Sequence, residues 1–246
     1  MKVIIVEDEE LARDLLKDYL ASEQDVELIG EYGDGFSAAI GINKDKPDVV
    51  FLDIQLPRLN GFEMLEVLDH TPQIIFSTAY DDYAISAFEQ NATDYLLKPY
   101  SKERLAAALT RARERMNHGA SSEKNAGELA SDLTQQMPLD RIVVKDSKGI
   151  NVIPTNDVHY IEAQDDYIMI YSTQGRFLKK QTMKSIMQRL NPGLFVRVHR
   201  SYILNILEIA RIEPYTKDSY IAILKGGAKV SLSETGYKAL REKLDF

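Results

Sequence analysis

Apolar and polar positions divide the chain into two regions of different rhythm. Over residues 1–116, short apolar runs at Val3 to Val6, Val49 to Leu52, Ile74 to Phe76 and Tyr95 to Leu97, with a weaker one at Val26 to Ile29, predict buried strands. Between them, Glu10 to Leu20, Ser37 to Ile42, Phe62 to Leu68, Tyr83 to Phe88 and Lys102 to Met116 carry the spacing of amphipathic helices. Strands that are apolar throughout and alternate with helices predict a parallel sheet covered on both faces, a doubly wound α/β domain of five strands.

From 117 to 138 the chain turns small and polar, as in Asn117-His118-Gly119-Ala120-Ser121-Ser122, which reads as a linker with one helix around Glu128 to Leu133. Beyond it, β-branched and aromatic runs recur at Ile142 to Val144, Ile150 to Ile153, Val158 to Ile161, Tyr167 to Tyr171, Ile203 to Ile206, Ile209 to Ile212, Tyr220 to Leu224 and Lys229 to Leu232. They are punctuated by turns such as Ser147-Lys148-Gly149 and Lys225-Gly226-Gly227. Residues 139–246 are therefore expected to form a mainly β domain, interrupted by helices at Thr182 to Leu190 and Glu234 to Leu244. The run from Phe195 to Asn205 fits no single alternating face, so part of it is expected to be loop.

Charge sharpens this division. The chain of 246 residues carries a net charge of -8, but residues 1–116 hold 12 Lys/Arg against 23 Asp/Glu, a net of -11, while residues 139–246 hold 17 against 12, a net of +5. Only the second region suits a polyanionic partner. The absence of Cys excludes disulfides, thiol catalysis and Cys-type zinc sites, and fits a reducing compartment. The first residues, acidic after four apolar positions, fit no signal peptide, and no apolar run nears the ~20 residues of a membrane span. A soluble cytoplasmic protein without direct membrane insertion is expected.

In open α/β sheets the site lies beyond the carboxyl ends of the strands. There the sequence places Glu7 and Asp8 after the first strand, Asp53 after the third, Thr78 after the fourth and Lys98 after the fifth. Singly, Asp8 reads as a helix N-cap and Lys98 as a surface charge. Together, three carboxylates with a lysine and a hydroxyl suit a hard cation and a phosphoryl group.

The segments Val6-Glu7-Asp8-Glu9, Phe51-Leu52-Asp53-Ile54-Gln55-Leu56-Pro57 followed by Asn60-Gly61, Ser77-Thr78-Ala79 and Asp94-Tyr95-Leu96-Leu97-Lys98-Pro99 closely resemble the receiver domain of two-component response regulators, a flavodoxin-like fold. The resemblance implies that Asp53 accepts a phosphoryl group from a sensor histidine kinase. It implies that Glu7, Asp8, Asp53 and the Gln55 carbonyl hold Mg²⁺, that Lys98 contacts the phosphoryl group, that Thr78 and Tyr95 form a switch, and that Lys98-Pro99 is cis. Glu7 departs mildly from the family, where the first acid is often Asp.

In the second region, Arg197, His199 and Arg200 cluster within four residues, with Lys179 and Lys180 after an earlier strand. Such groups suit phosphates and base edges, or alternatively a solvated basic surface with Arg200 paired to a carboxylate. The runs Val158 to Tyr167, Gly175-Arg176-Phe177, Phe195 to Asn205 and Val230-Ser231-Leu232-Ser233 are similar to the LytTR family of DNA-binding domains, mainly β modules that insert loops into successive DNA grooves. The resemblance makes Tyr167 the mark of one contacting loop and His199 with Arg200 a second; Lys179, Lys180 and Arg197 join them as candidate DNA contacts. A third contacting segment, Ser231 to Glu234, lacks the family's basic residue, which leaves a Ser hydroxyl for a phosphate contact. Asn205 and Glu162 are expected to be structural.

The reading is a transcriptional response regulator: phosphorylation of Asp53 promotes homodimer formation and binding of double-stranded promoter DNA, with no enzymatic activity beyond the receiver's own phosphoryl transfer and dephosphorylation. Two rivals stand beside it, a catalytic second domain, which lacks any metal-ligand spacing or Gly-rich phosphate loop, and a receiver-controlled protein-binding module without DNA.

Overall fold

The computed structural model describes residues 1–79, 92–117, 139–216 and 219–245. The expected helices at Tyr83 to Phe88 and Glu128 to Leu133, and nearly all of the expected linker, lie outside the described residues. The chain divides into two compact units, Met1–Thr134 and Gln135–Phe246.

In the first unit, strands β1 (Lys2–Val6), β2 (Glu27–Tyr32), β3 (Val49–Leu52), β4 (Gln73–Thr78) and β5 (Asp94–Leu97) form one parallel sheet in the order β2-β1-β3-β4-β5. Alternate residues serve opposite faces. Val3, Ile5, Val49, Phe51 and Ile75 pack on Leu16 and Leu20 of α1 (Glu10–Leu20) and on Leu105 and Leu109 of α4 (Lys102–Asn117). Their neighbours Ile4, Val50 and Leu52 are equally buried, as are Ala38 and Ile42 of α2 (Gly35–Asp45) and Phe62 of α3 (Gly61–Leu65). Burial on both faces is why these strands read as unbroken apolar runs.

Helix α3 is shorter than the expected span to Leu68. It opens on a capping box in which Asn60 Oδ1 accepts from the Glu63 N–H and Glu63 Oε2 from the Asn60 N–H, both at 2.9 Å. Gly61 admits no side chain, because a Cβ there would lie 2.5 Å from the carbonyl oxygen of Asp53.

In the second unit, β6 (Arg141–Asp146) and β7 (Gly149–Pro154) form a hairpin. A five-stranded antiparallel sheet has the order β10-β9-β8-β12-β11, from β8 (Val158–Gln164), β9 (Tyr167–Ser172), β10 (Gly175–Lys179), β11 (Phe195–His199) and β12 (Tyr202–Asn205). A smaller sheet follows, β13 (Ile209–Thr216), β14 (Ser219–Leu224) and β15 (Lys229–Leu232), and helices α5 (Met183–Arg189) and α6 (Glu234–Leu244) complete the unit.

The run expected to be partly loop is a strand, a two-residue turn at Arg200-Ser201 and a second strand. Its pattern failed the single-face test because the sheet lies between two cores. Phe195 and Ile203 pack with Ile161, Ile168 and Ile186 on one side, while Val196, Val198 and Leu204 pack with Val230, Leu232 and Leu240 on the other. A register shift between Arg197 and His199 breaks the alternation further. Strand β12 ends at Asn205, one residue short of the expected Ile206, where the Asn205 side chain accepts from the Leu207 N–H and turns the chain.

Candidate functional site

The order β2-β1-β3-β4-β5 reverses between β1 and β3, so the loops after these strands diverge and leave a crevice at their carboxyl ends. Glu7 follows β1 and is buried, Asp8 is exposed, and Asp53 follows β3, 8% exposed. One carboxylate oxygen from each of the three lies within 4.8 Å of the others. Lys98, after β5, reaches across: its Nζ donates to Glu7 Oε2 at 2.5 Å and to Asp53 Oδ2 at 2.9 Å. The Gln55 N–H donates to Asp53 Oδ1 at 3.3 Å and the Glu9 N–H to Glu7 Oε1 at 3.3 Å. The Lys98-Pro99 bond is cis.

Two of the single-residue readings fall away. The N-cap of α1 is Glu9, with no side-chain cap, so Asp8 is not spoken for by the helix. Lys98 is no loose surface charge, its side chain being 18% exposed between two acids. Burial pushes the Glu7 carboxyl above its usual range, a rise the Lys98 hydrogen bond only partly offsets. Burial also pulls Lys98 down, but its hydrogen bonds to Glu7 and Asp53 prevail and hold it above the ordinary lysine value. An all-oxygen donor set of three crowded carboxylates, only partly neutralised by one ammonium, fits a hard divalent cation.

Thr78 ends β4 fully buried, and its hydroxyl has no hydrogen-bond partner among the described residues. A buried, unpaired donor is uncommon and calls for an explanation. Tyr95 is buried, 6.2 Å from the Phe76 ring between centroids.

Sequence reading missed the supports of this region. Tyr100 shares a 2.8 Å hydrogen bond with Ser77 and ties the segment after Pro99 back to β4. Asp94, its side chain fully buried, receives Arg104 at 2.7 and 2.8 Å and Arg111 at 2.8 Å, and Arg104 also donates to the Tyr95 carbonyl. Burial alone would raise the Asp94 carboxyl, but the hydrogen bonds from Arg104 and the Tyr95 N–H, with the two guanidinium charges, hold it below its ordinary value. A depressed folded-state value contributes stability above the unfolded carboxyl's range and loses it as pH falls through the folded value. Asp94→Ala is accordingly expected to cost the first unit about 3 kcal/mol near neutral pH. In urea unfolding followed by circular dichroism, that gap from wild type should narrow below about pH 4; a gap independent of pH would refute this account.

In the second unit the expected residues gather at one end of the five-stranded sheet. The turn Asp165-Asp166 leads into Tyr167, 41% exposed. Lys179 ends β10 opposite Ile168, beside Tyr167, and Lys180 follows, exposed. The Ala163 N–H donates to the Ser201 carbonyl at 2.9 Å and sets the 200–201 turn beside the 165–166 turn. Arg197 and Arg200 are exposed and His199 half-buried.

Not every cation there is equally available. Lys179 Nζ donates to the Val143 carbonyl at 2.6 Å, and the Arg197 guanidinium donates to the Arg200 carbonyl at 3.0 Å. The Ser201 N–H donates to His199 Nδ1 at 3.2 Å, so neutral His199 bears its hydrogen on Nε2. In the third segment, the Ser233 hydroxyl donates to the Val198 carbonyl at 2.9 Å and accepts from the Gly236 N–H at 3.0 Å. It caps α6, and the expected phosphate contact there falls to exposed Ser231 alone. Asn205 is structural as expected: buried, it donates to the Val158 carbonyl at 2.9 Å. Among the described residues no helix is long and apolar enough to cross a membrane.

The model of the response regulator receiver domain family matches residues 3–110, and that of the LytTr DNA-binding domain family matches residues 148–245. The chain is 36% identical over 247 residues to the sensory transduction protein LytT of Bacillus anthracis, covering 99% of each. It is 33% identical over 247 residues to the transcriptional regulatory protein BtsR of Escherichia coli K12, again covering 99% of each. The solved response regulatory domain of protein mrkE from Klebsiella pneumoniae aligns with 48% of this chain and 99% of its own at 36% identity, with a TM-score of 0.44.

Proposed function

Because the chain belongs to the response regulators that join a receiver to a LytTR DNA-binding domain, we propose that Asp53 is its phosphoacceptor and that the sheet end bearing Tyr167, His199 and Arg200 is its DNA-reading surface. Residues 1–116 form the receiver, 117–138 the linker and 139–246 the DNA-binding domain in this reading. The observation that carries it is the Lys98 ammonium bridging Glu7 and Asp53 inside a trio of carboxylates.

An oxygen of Asp53 forms the bond to phosphorus as the bond from phosphorus to the donor histidine's nitrogen breaks, the electron pair leaving with the imidazole. Glu7, Asp8, Asp53 and the Gln55 carbonyl would hold Mg²⁺, which when bound would neutralise charge on the phosphoryl oxygens. Lys98, already on Asp53 Oδ2, takes one phosphoryl oxygen. Thr78 donates its unpaired hydroxyl to another, and the displacement of that side chain changes the room available to Tyr95. Roughly two negative charges at Asp53 thereby become a change in surface.

Dimer formation by the phosphorylated receiver raises DNA affinity through effective concentration, without new contacts. Arg200→Ala is expected to weaken specific DNA binding by roughly tenfold to a hundredfold and to reduce the salt dependence of binding if its partner is a phosphate. The measurement is a titration of the phosphorylated chain against a duplex enriched from a random library. Affinity unchanged in the variant would remove Arg200 from the interface, and a wild-type chain that enriches no sequence would favour a protein-binding output.

A further inference from the structure

Glu162 lies on β8 between β9 and β12, and its two carboxylate oxygens serve two strands. Oε2 accepts from the Tyr171 hydroxyl of β9 at 2.8 Å, and Oε1 accepts from the Tyr202 hydroxyl of β12 at 2.8 Å. Two phenols hold this half-buried carboxylate beside a surface meant for a polyanion. A carboxylate near DNA opposes binding by its charge, which makes its presence informative.

The two strands it joins carry the two loops. Strand β9 opens on Tyr167, and β12 opens directly after the Arg200-Ser201 turn that follows His199, the last residue of β11. Tyr202 is paired opposite Glu162 in the sheet, and its ring lies 5.9 Å from that of His199. Tyr171 is fixed from both sides, stacked on Tyr160 at 4.1 Å and covered by the Arg176 guanidinium at 5.3 Å. We infer that Glu162 is a positioning residue for DNA recognition: as an acceptor shared by Tyr171 and Tyr202, it locks the start of β9 at Tyr167 and the β11–β12 connection carrying His199 and Arg200 in one relative geometry. The inference rests on the DNA-binding reading above.

A glutamine replaces it only in part: its oxygen can accept from one phenol, but its amide nitrogen must donate to the other phenol's oxygen, which reverses that hydrogen bond and removes the charge that strengthens both. The Tyr202 phenol supplies an independent reporter, because the hydrogen bond to Glu162, helped by burial, pushes it up to about 12.

The test uses the full phosphorylated chain, a duplex enriched from a random library by the wild type, and a scrambled duplex of equal length. Glu162→Gln is expected to weaken the enriched duplex about tenfold while leaving the scrambled one within about twofold, since phosphate contacts remain. Tyr202→Phe, which keeps the ring and removes only the donor, should act in the same direction, and the double variant should be no weaker than Glu162→Gln alone. In Glu162→Gln the Tyr202 phenol should titrate closer to 10, its ordinary value. If both variants bind the enriched duplex as tightly as wild type, or both lose the two duplexes in equal proportion, the positioning role is overturned. Should Glu162→Gln fail to fold, Tyr202→Phe decides between the same outcomes. If wild type enriches no sequence, the DNA reading fails first, and the inference with it.

Discussion

Asp53→Asn is expected to abolish labelling of the full chain by a small phosphodonor such as acetyl phosphate in the presence of Mg²⁺, a loss of roughly a hundredfold or more. The substitution keeps the shape of the side chain and removes the anion. A neutral amide is a poor nucleophile toward phosphorus, and it also replaces one of three carboxylate ligands within 4.8 Å of one another by an uncharged oxygen, which weakens the hold on a divalent cation. The surrounding structure gives the same variant a second effect. With Asp53 neutral, its repulsion of the Glu7 carboxylate is relieved, while Lys98 keeps Glu7 and can still donate to the Asn oxygen. Stability should therefore change little while labelling disappears, and chelation should suppress wild-type labelling equally. An Asn variant that still labels at this position in the sequence would remove Asp53 from its role.

The parts of this arrangement that were readable in the chain share a physical property: their positions follow from strand ends. Glu7, Asp53 and Lys98 each come directly after a buried apolar run and Thr78 closes one, and parallel strands deliver their carboxyl ends to one edge whatever the helices do. Asp94 was different. Its guanidinium partners come from α4, ten and seventeen residues further on, and only the packing of that helix against β5 brings them to the carboxylate. Tyr100 needed the path of the chain after Pro99 before its link to Ser77 had any meaning.

In the second unit residue type was a weaker guide, because type does not reveal which polar atoms are already engaged. Lys179 and Ser233 suit a phosphate as chemical groups, yet one holds the Val143 carbonyl and the other caps a helix. Strand β10 was missed as a strand since only Phe177 and Lys179 are even half-buried, leaving no alternation strong enough to read. The Phe195 to Asn205 run misled for the opposite reason, with too many buried positions serving two cores. Recognition surfaces built on such a sheet depend on packing behind it as much as on the side chains in front.

That dependence is sharpest at Gly236, and Gly236→Ala is expected to destabilise the second unit by about 3 kcal/mol. A Cβ there would stand 1.8 Å from the carbonyl oxygen of Val198, a contact with backbone that no side-chain rotation relieves. Helix α6 would have to withdraw from β11 by more than an ångström. The same Val198 carbonyl accepts the Ser233 N–H and hydroxyl, both at 2.9 Å, so withdrawal breaks the anchoring of the helix start as well. Val198 lies between Arg197 and His199, so the strand that shifts is the one presenting two candidate DNA contacts. Labelling at Asp53 should stay at the wild-type level, because the receiver is a separate compact unit, while affinity for the enriched duplex falls. Denaturant unfolding of the full chain by circular dichroism, read beside phosphoryl labelling of the same sample, separates the two effects. A Gly236→Ala chain whose second unit unfolds at the wild-type midpoint would mean that α6 does not pack this closely on β11.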